Sequence, residues 1–133
     1  VYGARRAADL HCVDRFERLG IRILLATEDG SAGLKGYVTA ALCDGLEQTP
    51  VDQASQLYVC GPTPMMRAVA TLAAQLRRPC AVSLEQVMGC GLGGCYSCVV
   101  LTRTPGEPPH FVRSCLDGPV FDATRIVWDA LSH

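Results

Sequence analysis

The chain has 133 residues and a formal net charge of −1, and 49% of its residues are hydrophobic, enough to form a core. The near-neutral charge excludes a broad basic surface, so we expect no nucleic-acid partner. No apolar run approaches the roughly 20 residues that span a bilayer, and no signal peptide opens the sequence. We therefore expect a cytoplasmic protein that does not enter the membrane.

Apolar residues in the first third of the chain predict alternating helices and strands. Helical spacing predicts a helix over Asp9–Leu19, which Gly20 ends. A mostly buried strand is expected over 21–26, followed by a loop rich in small residues over 27–36. A short helix is expected over 37–46. This order is typical of a parallel sheet with crossover helices.

The same alternation continues to residue 79. A second buried strand is expected over 56–61, before a helix that Thr63 caps and Pro64 opens. Beyond residue 79 the helical pattern stops and short strands surround a cysteine-rich loop. We therefore predict two domains, 1–79 and 80–133.

Four of the eight cysteines are clustered late in the sequence, with the spacing C-x4-C-x2-C-x16-C: Cys90, Cys95, Cys98 and Cys115. The first three match the spacing of plant-type [2Fe–2S] ligands, whose fourth cysteine is distant. Glycines between the ligands would let the backbone approach inorganic sulfide closely. Reduced cytosolic thiols argue against disulfides. A four-cysteine zinc site is the alternative, but zinc sites usually pair two knuckles, so the spacing favours the cluster.

Glycine-containing loops follow three of the predicted strands: Gly3–Arg5, Thr27–Gly33 and Cys60–Thr63. Ligands of parallel sheets bind beyond the carboxyl ends of the strands, and a helix start offers free N–H groups. Carboxylates at Glu28 and Asp29 would accept hydrogen bonds from a ribose and repel a 2′-phosphate, which favours NAD over NADP. Such loops also occur in α/β domains without this function, and the two acidic residues alternatively form a solvated turn.

Taken in order, these loops resemble the nucleotide-binding half of the ferredoxin–NADP⁺ reductase superfamily. The matching segments read "GAR", "EDGSAGLKG" and "CGPTPM". The resemblance implies that Cys60 lies beside the nicotinamide. It implies further nucleotide contacts at Arg5, Asp29, Gly61, Pro62 and Met65.

The second half resembles one branch of that superfamily, the electron-transfer subunits of NAD-dependent dihydroorotate dehydrogenase. The segments that carry this resemblance are "VSLEQVMGCGLGGCYSCVV" and "RSCLDGPVFDA". The resemblance implies a [2Fe–2S] cluster, FAD and NAD in a hetero-oligomer with a catalytic, FMN-containing dehydrogenase subunit. The implied activity is an electron relay in dihydroorotate oxidation, a step of pyrimidine biosynthesis.

Two other functions stay open. Reductase subunits of hydrogenases and of sulfide or ferredoxin:NAD(P) oxidoreductases resemble this branch, but some of them replace the first ligand by aspartate, where this chain has Cys90. The second open function is that of a nucleotide-binding module stabilised by zinc. We assign no catalytic residue, because no Ser/His/Asp constellation is apparent in the sequence.

Members of this family begin with a flavin-binding β-barrel and a glycine-rich turn, neither of which this sequence contains. We therefore expect the C-terminal part of such a subunit, with FAD bound only by the intact protein and no activity in the isolated piece. The predicted fold class is α/β. It comprises a truncated Rossmann-like parallel sheet with helices, followed by a small cysteine-rich β subdomain that binds the cluster.

Overall fold

A computed structural model describes residues 1–47 and 55–131 of the chain. The chain divides into two compact units, Val1–Ala54 and Ser55–His133. Parallel strand pairs occur in both, and helices accompany them, which confirms the α/β prediction. None of the helices in these described ranges is long and apolar enough to cross a membrane.

The first unit contains a three-stranded parallel sheet in the order β1-β2-β3. Its strands are β1 (Tyr2–Ala4), β2 (Leu25–Thr27) and β3 (Leu34–Lys35). Its helices are a 3-10 turn at Ala7–Asp9, α1 (Val13–Arg18) and α2 (Val38–Glu47). Ala26 and Thr27 of the central strand and Ala41 of α2 are buried, so the core of this unit lies where α2 meets β2.

The predicted helix over Asp9–Leu19 is wrong at its start. Cys12 has φ +60° and breaks the helical path, so Asp9 belongs to the 3-10 turn and α1 begins only at Val13. The predicted end is confirmed: Gly20 has φ +70°, and its N–H and that of the next residue bond back to carbonyls within α1. This arrangement is a Schellman motif, in which glycine avoids the steric cost of the left-handed region.

The strand predicted over 21–26 is shorter than expected and forms only at its end, as Leu25–Thr27. Tyr2 of β1 pairs with Leu25, the first residue of β2. Ile21 lies outside the paired segment and is 51% exposed. The apolar run therefore predicts the strand correctly, but the strand covers only the end of that run.

The second unit combines a three-stranded sheet with a separate hairpin. Its strands are β4 (Leu57–Cys60), β5 (Cys80–Ser83), β6 (Val99–Thr102), β7 (His110–Arg113) and β8 (Val120–Asp122). Its helices are α3 (Thr63–Gln75), α4 (Ser114–Asp117) and 3-10 turns at Ala123–Arg125 and Trp128–Ala130. The sheet order is β4-β5-β8, with β4 parallel and β8 antiparallel to β5, and β6 and β7 form the hairpin.

The core of the second unit lies between α3 and this sheet. Met66 and Ala73 of α3 are buried together with Val82 of β5, Phe121 of β8 and Ile126 of the tail. The helix begins one residue earlier than predicted. Pro62 has the extended dihedrals of an N-cap, and no side chain caps the helix, so Thr63 is its first residue and not its cap.

The division after residue 54 differs from the domain boundary predicted near residue 79. Strand β4 pairs with β5 over four residue pairs, from Leu57↔Cys80 to Cys60↔Ser83. Backbone hydrogen bonds therefore join the segments on both sides of residue 79 in one sheet. The functional domains 1–79 and 80–133 stay a prediction.

Candidate functional site

The hairpin brings the late cysteines to one end of the second unit. The first three lie on the segment between β5 and β6, and Cys98 directly precedes β6. Val99 pairs with Arg113 at the end of β7, and Cys115 lies two residues further on, in α4. The Ser114 N–H donates a hydrogen bond of 3.0 Å to the Cys98 carbonyl. The strand register thus places Cys98 and Cys115 side by side.

Cys90 and Cys95 form the first thiol pair. The backbone N–H groups of Leu92 and Gly94 lie 3.4 and 3.3 Å from Cys90 Sγ, and the Cys95 thiol also donates to it. These hydrogen bonds, that of Leu92 first, lower the pKa of Cys90 to about 6. The loop therefore stabilises this sulfur as a thiolate, the form that binds metal.

Ser97 supports the second sulfur of this pair. Its Oγ lies 3.1 Å from Cys95 Sγ, accepts the Gly89 N–H at 2.9 Å and lies 3.0 Å from the Val87 carbonyl, to which it can donate. The hydrogen bond from the Ser97 hydroxyl is the largest cause that lowers the pKa of Cys95. The Ser97 hydroxyl thus links the backbone of Val87 and Gly89, which precedes the first cysteine, to the Cys95 sulfur.

Cys98 and Cys115 form the second pair. The Cys115 thiol donates a hydrogen bond to Cys98, which is the main reason that its pKa is raised, followed by burial. The charge of Cys90 also raises the pKa of Cys115, whereas a hydrogen bond from the Gly93 N–H lowers it. Cys90 is therefore within electrostatic range of the second pair.

The four thiols lie in two pairs, Cys90 with Cys95 and Cys98 with Cys115. In the described residues, no group of three or more His, Cys, Asp or Glu side chains is arranged to hold a metal ion. A zinc ion needs four ligands around one centre, whereas a [2Fe–2S] cluster takes two ligands on each of two irons. Two separate thiol pairs fit the second requirement.

A buried hydroxyl belongs to the residue that precedes Cys115. Ser114 is 0% exposed, its backbone contacts Cys98, and it precedes Cys115. Its Oγ has no hydrogen-bond partner among the described residues. A buried unpaired hydroxyl is costly. The cost would be removed by a group that brings acceptor atoms, as inorganic sulfide does.

In the first unit, the loops that follow β1 and β2 are joined by their backbones. The Glu28 N–H donates to the Ala4 carbonyl at 3.2 Å, and the Asp29 N–H donates to the Arg5 carbonyl at 3.1 Å. Arg5 and Asp29 are both exposed. The structure therefore brings these two predicted nucleotide-binding residues together at the carboxyl ends of their strands.

Ser31 fixes the Asp29 carboxylate. Asp29 Oδ1 accepts hydrogen bonds from the Ser31 hydroxyl at 2.6 Å and from its N–H at 2.9 Å, and these lower the pKa of Asp29. The same hydroxyl accepts the Ala7 N–H at 2.7 Å. Gly33 has φ +64°, and a Cβ there would collide with the Leu25 carbonyl, so this turn requires glycine.

The remaining predicted nucleotide residues lie in the second unit, around the turn from β4 to α3. Cys60 ends β4 and is exposed, and Pro62 is the N-cap of α3. Gly61 has φ +147°, and a Cβ there would lie 2.6 Å from Met65 Cε. Because Arg5 and Asp29 belong to the other unit, a nucleotide site built from both sets stays a prediction.

Three residues that contact these sites were not predicted from the sequence: Ser31, Ser97 and Arg113. Each had a signal in the sequence, since Ser31 lies within "EDGSAGLKG", Ser97 lies between two of the cysteines, and Arg113 opens "RSCLDGPVFDA". Its guanidinium contacts the cysteine loop, where Nη1 lies 2.7 Å from the Gly93 carbonyl oxygen.

Two sequence families match the chain. The family described as the iron–sulfur cluster binding domain of dihydroorotate dehydrogenase B matches residues 85–127, which include all four late cysteines. The oxidoreductase NAD-binding domain matches residues 1–71, more than half of the chain. The NAD-binding match ends at residue 71 and the iron–sulfur match begins at residue 85, on opposite sides of residue 79.

The chain is similar to curated electron transfer subunits of dihydroorotate dehydrogenase B (NAD(+)). It is 36% identical to that of Desulforamulus reducens, over 96% of this chain and 47% of the relative, and 39% identical to that of Shouchella clausii, over 96% and 46%. The protein of Archaeoglobus fulgidus, a probable electron transfer subunit of the same kind, is 38% identical over 96% and 49%. The chain thus spans about half the length of these relatives.

A solved structure is also similar. It is a chain from an NADH-dependent reduced ferredoxin–NADP oxidoreductase, which is 35% identical with a TM-score of 0.78. The match covers 97% of this chain and 44% of that one.

Proposed function

Because the chain belongs to the family of oxidoreductase NAD-binding domains, we propose that it is the part of an electron-transfer subunit that relays electrons between a partner flavoenzyme and NAD. The reaction proposed is dihydroorotate oxidation in pyrimidine biosynthesis, as the names of the similar curated subunits suggest. The observation that carries the proposal is the pairing of four thiols within a segment that matches an iron–sulfur domain.

We assign the cluster to the four late cysteines. Cys90 and Cys95 would hold one iron, and Cys98 and Cys115 the other, since the thiols already lie in these pairs. When bound, such a cluster exchanges one electron at a time, whereas a nicotinamide exchanges a hydride, so a flavin belongs between them. The loop supplies thiolates, backbone N–H donors and a fixed backbone path.

We assign NAD to the exposed turns. Asp29, held ionised by Ser31, would accept hydrogen bonds from the adenosine ribose, with Arg5 beside it. The α3 N-terminus, with Gly61 and Pro62, would face the phosphates, where backbone N–H groups favour negative charge. Cys60 and Met65 would contact the nicotinamide end. FAD would be bound by the intact subunit.

We propose that the partner is a catalytic, FMN-containing dehydrogenase subunit in a cytoplasmic hetero-oligomer. Around the thiol pairs the loop presents apolar side chains to solvent: Val87 is 79% and Leu92 85% exposed. Apolar side chains rimming a site are typical of protein interfaces. We expect the thiols to be reduced, as in a cytoplasmic compartment. In the isolated chain we expect no turnover, because the relatives are about twice as long.

The test is anaerobic reconstitution with iron and sulfide. We expect a red-brown protein with visible absorption that dithionite bleaches, and iron and sulfide contents near two per chain. Cys115→Ser should lose cluster and spectrum, whereas Cys80→Ser, which alters a buried thiol of β5, should keep both. A colourless protein that binds one zinc ion, or a full cluster in Cys115→Ser beside its loss in Cys80→Ser, would contradict the assignment.

A second function is favoured by the structural similarity to the ferredoxin–NADP oxidoreductase chain. The chain would then belong to a reductase subunit that takes electrons from reduced ferredoxin. Adding dihydroorotate or reduced ferredoxin separately to the intact assembly distinguishes the two. Bleaching of the cluster by dihydroorotate supports the first function, and bleaching only by ferredoxin supports the second.

A further inference from the structure

Arg113 reaches from the hairpin into the cysteine loop. It is the last residue of β7, and its backbone N–H is held by Asp117 Oδ2 at 3.1 Å. Its half-buried guanidinium donates from Nη1 to the Gly93 carbonyl at 2.7 Å and stands over the Tyr96 ring, with Cζ 5.1 Å from the centroid. The aromatic face and the carbonyl together fix the position of this charge.

The carbonyl that Arg113 contacts belongs to the peptide unit whose N–H points at a ligand. The Gly93 carbonyl and the Gly94 N–H lie in one planar peptide group. The Gly94 N–H donates to Cys90 Sγ at 3.3 Å. A chain of contacts therefore runs from the guanidinium through one peptide to the sulfur, and each hydrogen bond polarises the next.

The peptide has little support from its own side chains, because both residues are glycine. Gly93 is buried with φ +81°, and a Cβ there would collide with Leu116 of α4. A Cβ added at Gly94 would meet no atom within 4 Å. The orientation of the peptide thus depends on Leu116 on one side and on the Arg113 hydrogen bond on the other.

We propose that Arg113 is a positioning residue, which raises the reduction potential of the cluster by holding the Gly93–Gly94 peptide with its N–H on Cys90 Sγ. The inference rests on the proposed function, since it takes the four late cysteines as ligands. Reduction would add one electron to the iron of a bound cluster and so increase the negative charge of the whole group. Donors and a nearby positive charge stabilise the reduced form more than the oxidised form, so they make reduction easier.

The test is the midpoint potential of the reconstituted full chain, measured by dithionite titration with visible and EPR detection. Arg113→Met removes the charge and the donor but keeps a long side chain. At a fixed potential we expect its ratio of reduced to oxidised cluster to fall about tenfold, which is about 59 mV for one electron. Arg113→Lys, which keeps the charge but not the planar fork, should lie between Met and wild type. Arg103→Met, a change of the same charge at an exposed position after β6, should match wild type.

Each outcome decides the inference. A purely structural role would lower the unfolding midpoint of Arg113→Met and leave the potential unchanged, and that result overturns the proposal. If Arg113→Met does not fold, Arg113→Lys decides: a lowered potential supports the proposal and a wild-type potential overturns it. A wild-type chain that takes up no iron and sulfide refutes the proposed function itself, and this inference with it.

Discussion

Ser31 and Ser97 use one hydroxyl each to fix a loop and to contact a group that we assign to ligand binding. Ser31 bonds the Asp29 carboxylate and receives an N–H from the loop after β1. Ser97 contacts the Cys95 thiol and receives the Gly89 N–H. In both loops, a serine two residues further along the chain contacts the side chain that we assign to ligand binding. The serine also lowers the pKa of that side chain, Asp29 in one loop and Cys95 in the other.

Replacing Ser31 by alanine removes one of the two donors on Asp29 Oδ1. We expect the pKa of Asp29 to rise toward its ordinary value of 3.8, because the backbone N–H of residue 31 then remains as the chief support. An NMR titration of the Asp29 carboxyl carbon measures this shift. Thr71→Ala, which removes an exposed hydroxyl bonded to the Arg67 carbonyl, is the control. An Asp29 pKa equal in both variants would show that the hydroxyl is unimportant.

At the scale of elements, close backbone approaches and apolar anchors hold the loops in place. The turn after β2 passes so near Leu25 that only glycine fits at position 33. In the other unit, the tail after β8 returns to α3, where Ile126 and Leu131 are buried and Asp129 forms an exposed ion pair with Arg67 at 2.7 Å. These features predict which substitutions disturb each element.

Gly33→Ala should destabilise β2 far more than Gly20→Ala. Both glycines have a similar positive φ, +64° and +70°, but a Cβ at Gly20 meets no atom within 4 Å. We expect a cost of about 1 kcal/mol for Gly20→Ala from the left-handed conformation. For Gly33→Ala we expect about 3 kcal/mol, since a backbone collision is added. Amide hydrogen exchange in β2 measures both, and equal protection would refute the close approach.

The tail should depend on its apolar anchor and not on its ion pair. Ile126→Ala empties a buried site and is expected to cost about 2–5 kcal/mol in the free energy of unfolding. Asp129→Asn breaks a solvent-exposed pair and is expected to cost at most about 1 kcal/mol. Urea unfolding followed by Trp128 fluorescence compares them, because Trp128 packs against the same core. A larger loss in Asp129→Asn would reverse this interpretation.

At the scale of the whole molecule, the chain represents about half of the subunits that it resembles. The thiol pairs lie within the second unit, so the proposed cluster site belongs to that unit alone. The proposed NAD contacts are distributed over both units, and the flavin is assigned to the intact protein. Cluster binding and nucleotide binding are therefore expected to respond differently when the rest of the subunit is present.

The intact subunit should prefer NADH to NADPH. Glu28 and Asp29 would repel a 2′-phosphate of about −2 charge, and a carboxylate accepts a hydrogen bond from a free 2′-hydroxyl. This chain alone should bind NADH more weakly than the intact subunit, because it spans only about half the length of the curated relatives. Fluorescence titration of both proteins with both nucleotides tests this. Tighter NADPH binding by the intact subunit contradicts the specificity, and equal NADH affinity contradicts the role of the added segment.

The sequence predicted the features that depend on near neighbours. Helical spacing and Pro64 located α3, and the spacing of Cys90, Cys95 and Cys98 indicated a cluster loop. It did not predict features that depend on distant partners. The contact of Arg113 with Gly93, for example, follows from the register of the hairpin. No periodicity within a segment contains that information.

The hairpin between Cys98 and Cys115 has a consequence for how such proteins diversify. Both cysteines lie beyond the Val99↔Arg113 end of the hairpin, whereas the connecting turn lies beyond the opposite end, at Thr102↔His110. Insertions or deletions in the exposed turn would change the interval before the fourth cysteine without displacing either sulfur. We therefore expect that interval to vary more among homologues than the spacing of the first three cysteines. Homologues with a longer turn would be overlooked by a search that requires sixteen intervening residues, although their cofactor chemistry would be the same.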